Sequence, residues 1–387
     1  MRAIINARAV LMDKILPNTT ILTDKGVICA MGQGIPIPAG AQIIDAGGML
    51  VGPGFVDIHV HGDGGAGRWR NDPERVASYH LRHGSTTLVA TMSYSQTKES
   101  LLEKTKILQE KLEAGLLPNV FAVSFEGPYI NPERGAKSAA FARSGPDREE
   151  YTALYEACHG RVAQWMYAPE MDTDGSFGDF LQSKGIVAAV GHTNASPAQI
   201  RAAVDKGATV ATHLYDAMGC WMGNDSWQIT GTAQETAAVG CLLCPELIYE
   251  LIPDSKGIHV KPANLQLVYR FAGADRIAIV TDCTICDYDP ADYPAEHFRS
   301  TPDLNYNELG QLSGSRLTMD RAVRNFRQHT GATVPELFRM ASATPAKAMG
   351  IFDKAGSLEP GKYADMVIMD DELQLQKVIF RGEEVPV

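Results

Sequence analysis

Between residues 50 and 350, short apolar and β-branched runs alternate with amphipathic stretches. The runs are VGPGFVDIHV, STTLVATMSY, VFAVSFEGPYI, RVAQWMYAPE, GIVAAVGHT, ATVATHLYD, a weaker IYELIPD, and RIAIVTD. Between them SLLEKTKILQEKLEAG, DREEYTALYEAC and SPAQIRAAVDKG carry helical periodicity. The last is fully punctuated: Ser196 can cap, Pro197 fits the first turn, and Gly207 suits the position after the last turn. Strands that are apolar nearly throughout are buried on both faces, which predicts a parallel sheet covered by helices. Eight such units predict a (β/α)₈ barrel of the TIM type over residues 51–350. The runner-up is a doubly wound open sheet, but no G-x-G-x-x-G turn follows the first run.

The two ends read differently. Residues 1–50 (RAIINARAVLMD, TTILTDKGVICAMG, AQIIDAGG) and 351–387 (GSLEPGKYADMVIMDDELQLQKVIFRGEEVPV) alternate apolar and polar positions between turn residues. Each is too small to bury a core alone. They are expected to pair into one small β-sandwich domain beside the barrel.

Composition narrows the function classes. Of the 387 residues 45% are hydrophobic and 21% charged, as in an ordinary globular chain. The net charge of −11, with no Lys/Arg block, argues against a nucleic-acid surface. No apolar run reaches the ~20 residues that span a bilayer, and the first residues lack a signal-peptide core. No membrane association is expected, and the expected location is the cytoplasm. Seven cysteines, an odd number, do not suggest a disulfide framework. The C-x-x-C pairs Cys241/Cys244 and Cys283/Cys286 are too far apart for a zinc ribbon, and the first reads as core packing.

The candidate chemistry lies at the strand ends. His59 and His61 fall on one face of the first run, and Gly-Asp-Gly-Gly soon ends that strand. Alone, an H-x-H pair is more often ordinary packing than a metal site. The third run, however, ends in Glu126, the fifth in His192, the sixth in His213 and the eighth in Asp282. In a parallel barrel these ends converge on one face. Imidazoles with one or two carboxylates suit Zn²⁺ or Fe²⁺ with a position left open. Such a cation lowers the pKa of water and polarises a carbonyl, and Asp282 can take up a proton and pass it to a leaving amine. The expected reaction is metal-assisted hydrolysis of an amide or similar C–N bond.

These residues, together with the tail GSLEPGKYADMV, resemble the amidohydrolase superfamily. More narrowly, EGPYINP, GHTNA, THLYDAM, GIHV and GSRLTMDRAV are similar to segments of N-acetylglucosamine-6-phosphate deacetylases, in the same order and through nearly the whole chain. That resemblance implies a divalent metal, Zn or Fe, one or two per subunit. Glu126, His192 and His213 would hold the principal ion; His59 and His61 would support a second, with Glu126 able to bridge. It further implies Asp282 as general base and acid, His259 as a substrate contact, and a homodimer acting on a small N-acetylated molecule. Tyr215, Asp216 and Ala217 fall in the family's sugar-binding segment.

The substrate-reading positions depart from that pattern. Asp216 replaces the family's Asn, and Lys137 stands near a usual histidine. The stretch GCWMGNDSWQITGTAQETAAVG has no Arg or Lys where the family carries a phosphate-binding arginine. Either Lys137 and Lys261 supply the positive charge, or the substrate lacks the phosphate. Trp221, Met222 and Trp227 can line a pocket or simply pack. Two further readings stand beside the deacetylase. One is a cyclic-amide hydrolase or deaminase; its two-metal members often bridge through a modified lysine on the fourth strand, where this chain has Ala-Pro-Glu. The other is a catalytically silent sensor or scaffold on the same fold.

Overall fold

The computed structural model describes residues 1–135, 141–219, 235–285, 302–307 and 311–386. Eight strands form a parallel sheet in chain order: β6 (Phe55–Val60), β7 (Ser85–Ser93), β8 (Val120–Glu126), β9 (Val162–Tyr167), β10 (Val187–Val190), β11 (Ala208–Ala211), β12 (Ile248–Leu251) and β13 (Ile277–Ile279). The sheet closes on itself just beyond β13. The Asp282 amide donates to the His59 carbonyl at 2.9 Å, the His61 amide donates to the Cys283 carbonyl at 2.7 Å, and Val60 bridges Cys283. The buried Asp57 carboxylate accepts from the Thr281 hydroxyl at 2.6 Å across the same seam. This is the TIM-type barrel expected from the eight runs, the weak IYEL segment included.

Helices cover the barrel where the periodicity places them. They span Lys98–Glu113, Arg148–Ala157 and Pro197–Asp205, and Leu101, Leu108, Leu112, Leu154 and Ile200 enter the main core. Ser196 and Gln199 form a reciprocal capping box, and Gly207 adopts φ +100° after the last turn.

Both chain ends meet in a second eight-stranded sheet. It contains β1 (Arg2–Val10), β2 (Ile15–Asp24), β3 (Val27–Gln33), β4 (Gln42–Asp45), β5 (Leu50–Pro53), β14 (Met366–Met369), β15 (Leu375–Phe380) and β16 (Glu383–Val385). The join is β5, parallel to β1 and antiparallel to β14. A separate core of Ile4, Ile21, Ile28, Ile44, Met366 and Ile368 holds this sheet.

One element differs from the sequence expectation. VGPGFVDIHV reads as a single strand but serves two sheets, dividing at Gly54. The Gly54 amide donates to Asp365 of the end sheet at 2.9 Å, and the next amide, of Phe55, donates to Gly84 beside the barrel at 2.9 Å. A Cβ at Gly54 would lie 2.1 Å from the Thr86 hydroxyl, so only glycine lets the chain cross there.

Asp365 itself sits buried at this junction, and its pKa is pushed up to about 6 by burial, against the opposing pull of Arg381. A carboxyl whose folded pKa exceeds its unfolded value of 3.8 favours the folded state when protonated. That contribution is complete below about pH 4 and lost as pH rises through about 6. Asp365→Asn is expected to flatten the urea midpoint between pH 4 and 6.5, removing a slope worth on the order of 2 kcal/mol. An unchanged pH profile would show that the group titrates normally.

Candidate metal centre and active site

All six residues read from the strand ends meet at the C-terminal mouth of the barrel. His192 Nε2 is 2.8 Å and His213 Nε2 3.3 Å from Glu126 Oε1, while His61 Nε2 is 3.3 Å from Glu126 Oε2 and 3.2 Å from Asp282 Oδ1. His59 Nε2 lies 3.7 Å from both Glu126 Oε1 and Asp282 Oδ1. Two donor sets, His59–His61–Asp282 and His59–Glu126–His213, have their ligand atoms within 4.8 Å of one another. Every member is buried.

Local backbone geometry turns these side chains inward. His192, His213 and Asp282 adopt φ of +45°, +29° and +46°, in the left-handed region that costs a non-glycine residue about 1 kcal/mol or more. Each stands two or three residues past the end of β10, β11 or β13, so the reversal bends the chain over the mouth. Gly135 is matched to His192: a Cβ there would lie 2.5 Å from the His192 Nδ1.

The tautomers are set from behind. His61 Nδ1 donates to the Thr91 carbonyl at 2.9 Å, His192 Nδ1 to the Arg134 carbonyl at 2.9 Å, and His213 Nδ1 to the Asp216 carbonyl at 3.3 Å. His59 Nδ1 donates to the Glu250 carboxylate at 3.0 Å. Carbonyls and carboxylates only accept, so each Nδ1 carries a proton and each Nε2 faces the centre, where it takes either a metal ion or a second proton. His59 Nε2 and His61 Nε2 then face each other at 3.2 Å. Two lone pairs at that distance repel unless a cation or a shared proton lies between them. The donor set therefore fits a divalent metal of the kind bound by imidazole and carboxylate.

The carboxylates of the centre draw positive charge to it, and with no metal bound that charge is carried by protons on the rings. Burial resists charging His59, yet the Glu250 hydrogen bond and the surrounding carboxylates outweigh it and raise its pKa to about 10. For His213 the bond to Glu126 and the nearby carboxylates likewise overcome burial, raising it to about 9. Burial would raise the Glu126 carboxyl, but His192 and His61 hold it well below the usual range. Asp282 is held down by its hydrogen bond to His61 and the neighbouring imidazoles, again against burial. Both carboxylates are ionised.

Sequence reading missed Glu250, on β12. It is fully buried, accepts from Gln164 Nε2 at 2.9 Å and fixes the His59 ring. The available signal was a carboxylate inside the otherwise apolar run IYEL. Glu250→Gln replaces one accepting oxygen with a donor facing His59 Nδ1–H. It is expected to weaken metal binding about 10- to 100-fold, read by competition with a chromogenic chelator. An unchanged affinity would leave Glu250 a packing residue.

The remaining candidates separate. Asp216 and Ala217 line a cleft of about 790 Å³ above the centre, together with His61, Glu126, His192, His213 and Asp282. Tyr215 instead packs against the barrel core, because its φ of +78° turns it away from its neighbours' direction. His259 is buried; its Nδ1 lies 3.1 Å from Asp254 Oδ2, and its Nε2 has no hydrogen-bond partner among the described residues. Glu170, which ends the fourth run, does not reach the centre but accepts from the Asn194 amide at 2.6 Å, bracing the loop that carries His192. Lys137, Trp221, Met222, Trp227 and Cys286 lie outside the described residues. Cys241, Cys244 and Cys283 are buried thiols, and no cysteine joins a potential metal group among the described residues.

The amidohydrolase family profile matches residues 50–385, the whole barrel and the C-terminal strands. The chain belongs to the amidohydrolase family. It is a metal-dependent hydrolase acting on an amide. An N-acetylglucosamine-6-phosphate deacetylase of Lysinibacillus sphaericus is 28% identical over 352 residues, covering 89% of this chain and 87% of its own. An N-acetylgalactosamine-6-phosphate deacetylase of Escherichia coli O157:H7 is 30% identical over 380 residues, covering 92% of both. Among solved structures, a variant N-acetylglucosamine-6-phosphate deacetylase of Mycobacterium smegmatis, in complex with N-acetyl-D-glucosamine-6-phosphate, superposes with a TM-score of 0.82. It is 28% identical, over 99% of this chain and 98% of that one. No helix among the described residues is long and apolar enough to cross a membrane.

Proposed function

We propose that this amidohydrolase removes the acetyl group from an N-acetyl amino sugar, with N-acetylglucosamine 6-phosphate as first candidate, giving glucosamine 6-phosphate and acetate. The observation that carries the reading is a buried, ionised Asp282 beside four imidazoles whose Nε2 atoms converge, in a chain similar throughout to deacetylases. Glu126, His192 and His213 would hold the principal ion, Zn²⁺ or Fe²⁺, and His59 and His61 a second. A metal held there would polarise the amide carbonyl and bring the pKa of water toward neutrality.

The protein's own groups then handle the proton. Asp282 takes one proton from the attacking water as its oxygen bonds to the acetyl carbon. The same carboxyl returns that proton to the nitrogen as the C–N bond breaks, so the products are acetate and a free amine. His259 presents Nε2 to the substrate, held in place by Asp254. Asp216 and Ala217 form part of the surrounding wall. We assign the enzyme to the cytoplasm as a homodimer.

A second reading, an unphosphorylated N-acyl amine or amino sugar as substrate, is favoured by one observation. Asp216 lines the cleft, and residues 219–240 contain no Arg or Lys. Acetate release from N-acetylglucosamine 6-phosphate, its galacto isomer and the unphosphorylated sugars, with Zn²⁺ or Fe²⁺ and after chelation, tests both. Metal-dependent acetate from a phosphorylated sugar supports the first candidate. Turnover of neutral sugars alone supports the second, and ammonia in place of acetate overturns both.

A further inference from the structure

Among the described residues, two arginines line the cleft above the metal centre, Arg68 and Arg70, and no other arginine or lysine does. Both belong to the loop that follows β6, a segment with no assigned part in the reaction. That loop is built rather than loose. Gly62 pairs with Arg68 in an antiparallel bridge, and the Trp69 amide donates to the His61 carbonyl at 3.2 Å. The Trp69 indole donates to the Val60 carbonyl at 2.5 Å, and its ring is 2% exposed. The Asp63 carboxylate accepts from the Gly65 and Gly67 amides, both at 2.9 Å. The backbone that carries both arginines is thus tied to His61, one residue from the end of β6.

The cleft has opposite electrostatic character on its far wall. Asp216 follows β11, which stands three strands from β6 around the barrel, through β13 and β12. Its ligand atoms lie within 4.8 Å of those of His259 and Asp282. An acidic group on a bound substrate is repelled from that side and attracted to the β6 loop. Guanidinium groups suit such a group because their fixed N–H forks match the oxygens of a phosphate or carboxylate.

We propose that Arg68 and Arg70 bind an oxyanion, a phosphate monoester or a carboxylate, carried by the N-acylated substrate. The substrate then lies with its amide over the imidazole and carboxylate cluster and its acid group toward the β6 loop. This rests on the deacetylase reading and adds the orientation of the substrate and the residues that select its charge.

The test compares kcat/KM of the full chain for N-acetylglucosamine 6-phosphate, N-acetylmuramic acid and neutral N-acetylglucosamine, in wild type, Arg68→Gln and Arg70→Gln. The phosphate and carboxylate arms identify the source of the oxyanion. Wild type is expected to prefer an acidic substrate, and each substitution to raise KM for it about tenfold or more, the loss of one charged hydrogen bond. Metal content and thermal midpoint are measured alongside to confirm the fold, and Arg70→Lys is expected to recover part of the preference. A wild type that prefers the neutral sugar, or variants that keep the acidic preference in full, overturns the inference and leaves the deacetylase standing. If none of the three compounds releases acetate, the deacetylase reading falls instead. Calorimetric titration with inorganic phosphate then decides: binding that either Gln variant weakens about tenfold retains the oxyanion site, and absent or unaltered binding overturns it.

Discussion

Asp282→Asn is expected to lower kcat for acetate release roughly a thousandfold, within the range that positioned proton transfer contributes, while the metal stays bound. The substitution isolates the proton because it disturbs little else. Asp282 sits at φ +46°, a region that asparagine tolerates almost as well as aspartate. Its amide donates to the His59 carbonyl at 2.9 Å and its carbonyl accepts from Ser315 at 2.8 Å, and both bonds survive. What disappears is an acceptor for a proton, since an amide is not basic near neutral pH. Acetate release and metal content are measured on the same preparation. Turnover within tenfold of wild type would remove Asp282 from the proton path. Loss of metal together with activity would make its contact with His61 and His59 a ligand role first.

The architecture was legible because its signals are local. Each barrel strand is a short apolar run, and the chain breaks it with Gly, Pro or a polar residue where the strand ends. Glu126, His192, His213 and Asp282 stand at or just past those breaks, and His59 one residue before the end of β6, so a correct count of strands placed them on one face. Glu250 was not legible in the same way. It lies inside β12, and its importance comes from His59, 191 residues away in sequence. No periodicity encodes that pairing. The division at Gly54 was hidden for a related reason: both halves of VGPGFVDIHV have strand character, and only the closeness of Thr86 forces the crossing. Tyr215 and Asp216 are neighbours in sequence, yet one packs into the core and the other lines the cleft. Left-handed backbone at His213, Tyr215 and Ala217 decides this, and single-residue φ is not written in hydrophobic pattern.

Glu126→Gln is expected to empty the centre, with stoichiometric metal falling to below about a tenth and acetate release lost with it. All four histidines come within 3.7 Å of this one carboxylate. Its full negative charge offsets the cost of holding a divalent ion away from water, and a neutral amide of the same size cannot. The amide nitrogen would also direct two N–H groups at bare imidazole nitrogens, replacing an attraction to the metal with hydrogen bonds that occupy its donors. Stability provides a readout independent of turnover. A ligand present at about a thousand times its Kd stabilises the folded state by about 4 kcal/mol. Chelation is therefore expected to lower the wild-type unfolding midpoint to that of Glu126→Gln, and to leave the midpoint of the variant unmoved. A variant that retains its metal and still shifts on chelation would show that the imidazoles alone hold the ion. Glu126 would then serve to set the charge of the centre, since its carboxylate is the one group shared by every histidine that faces inward.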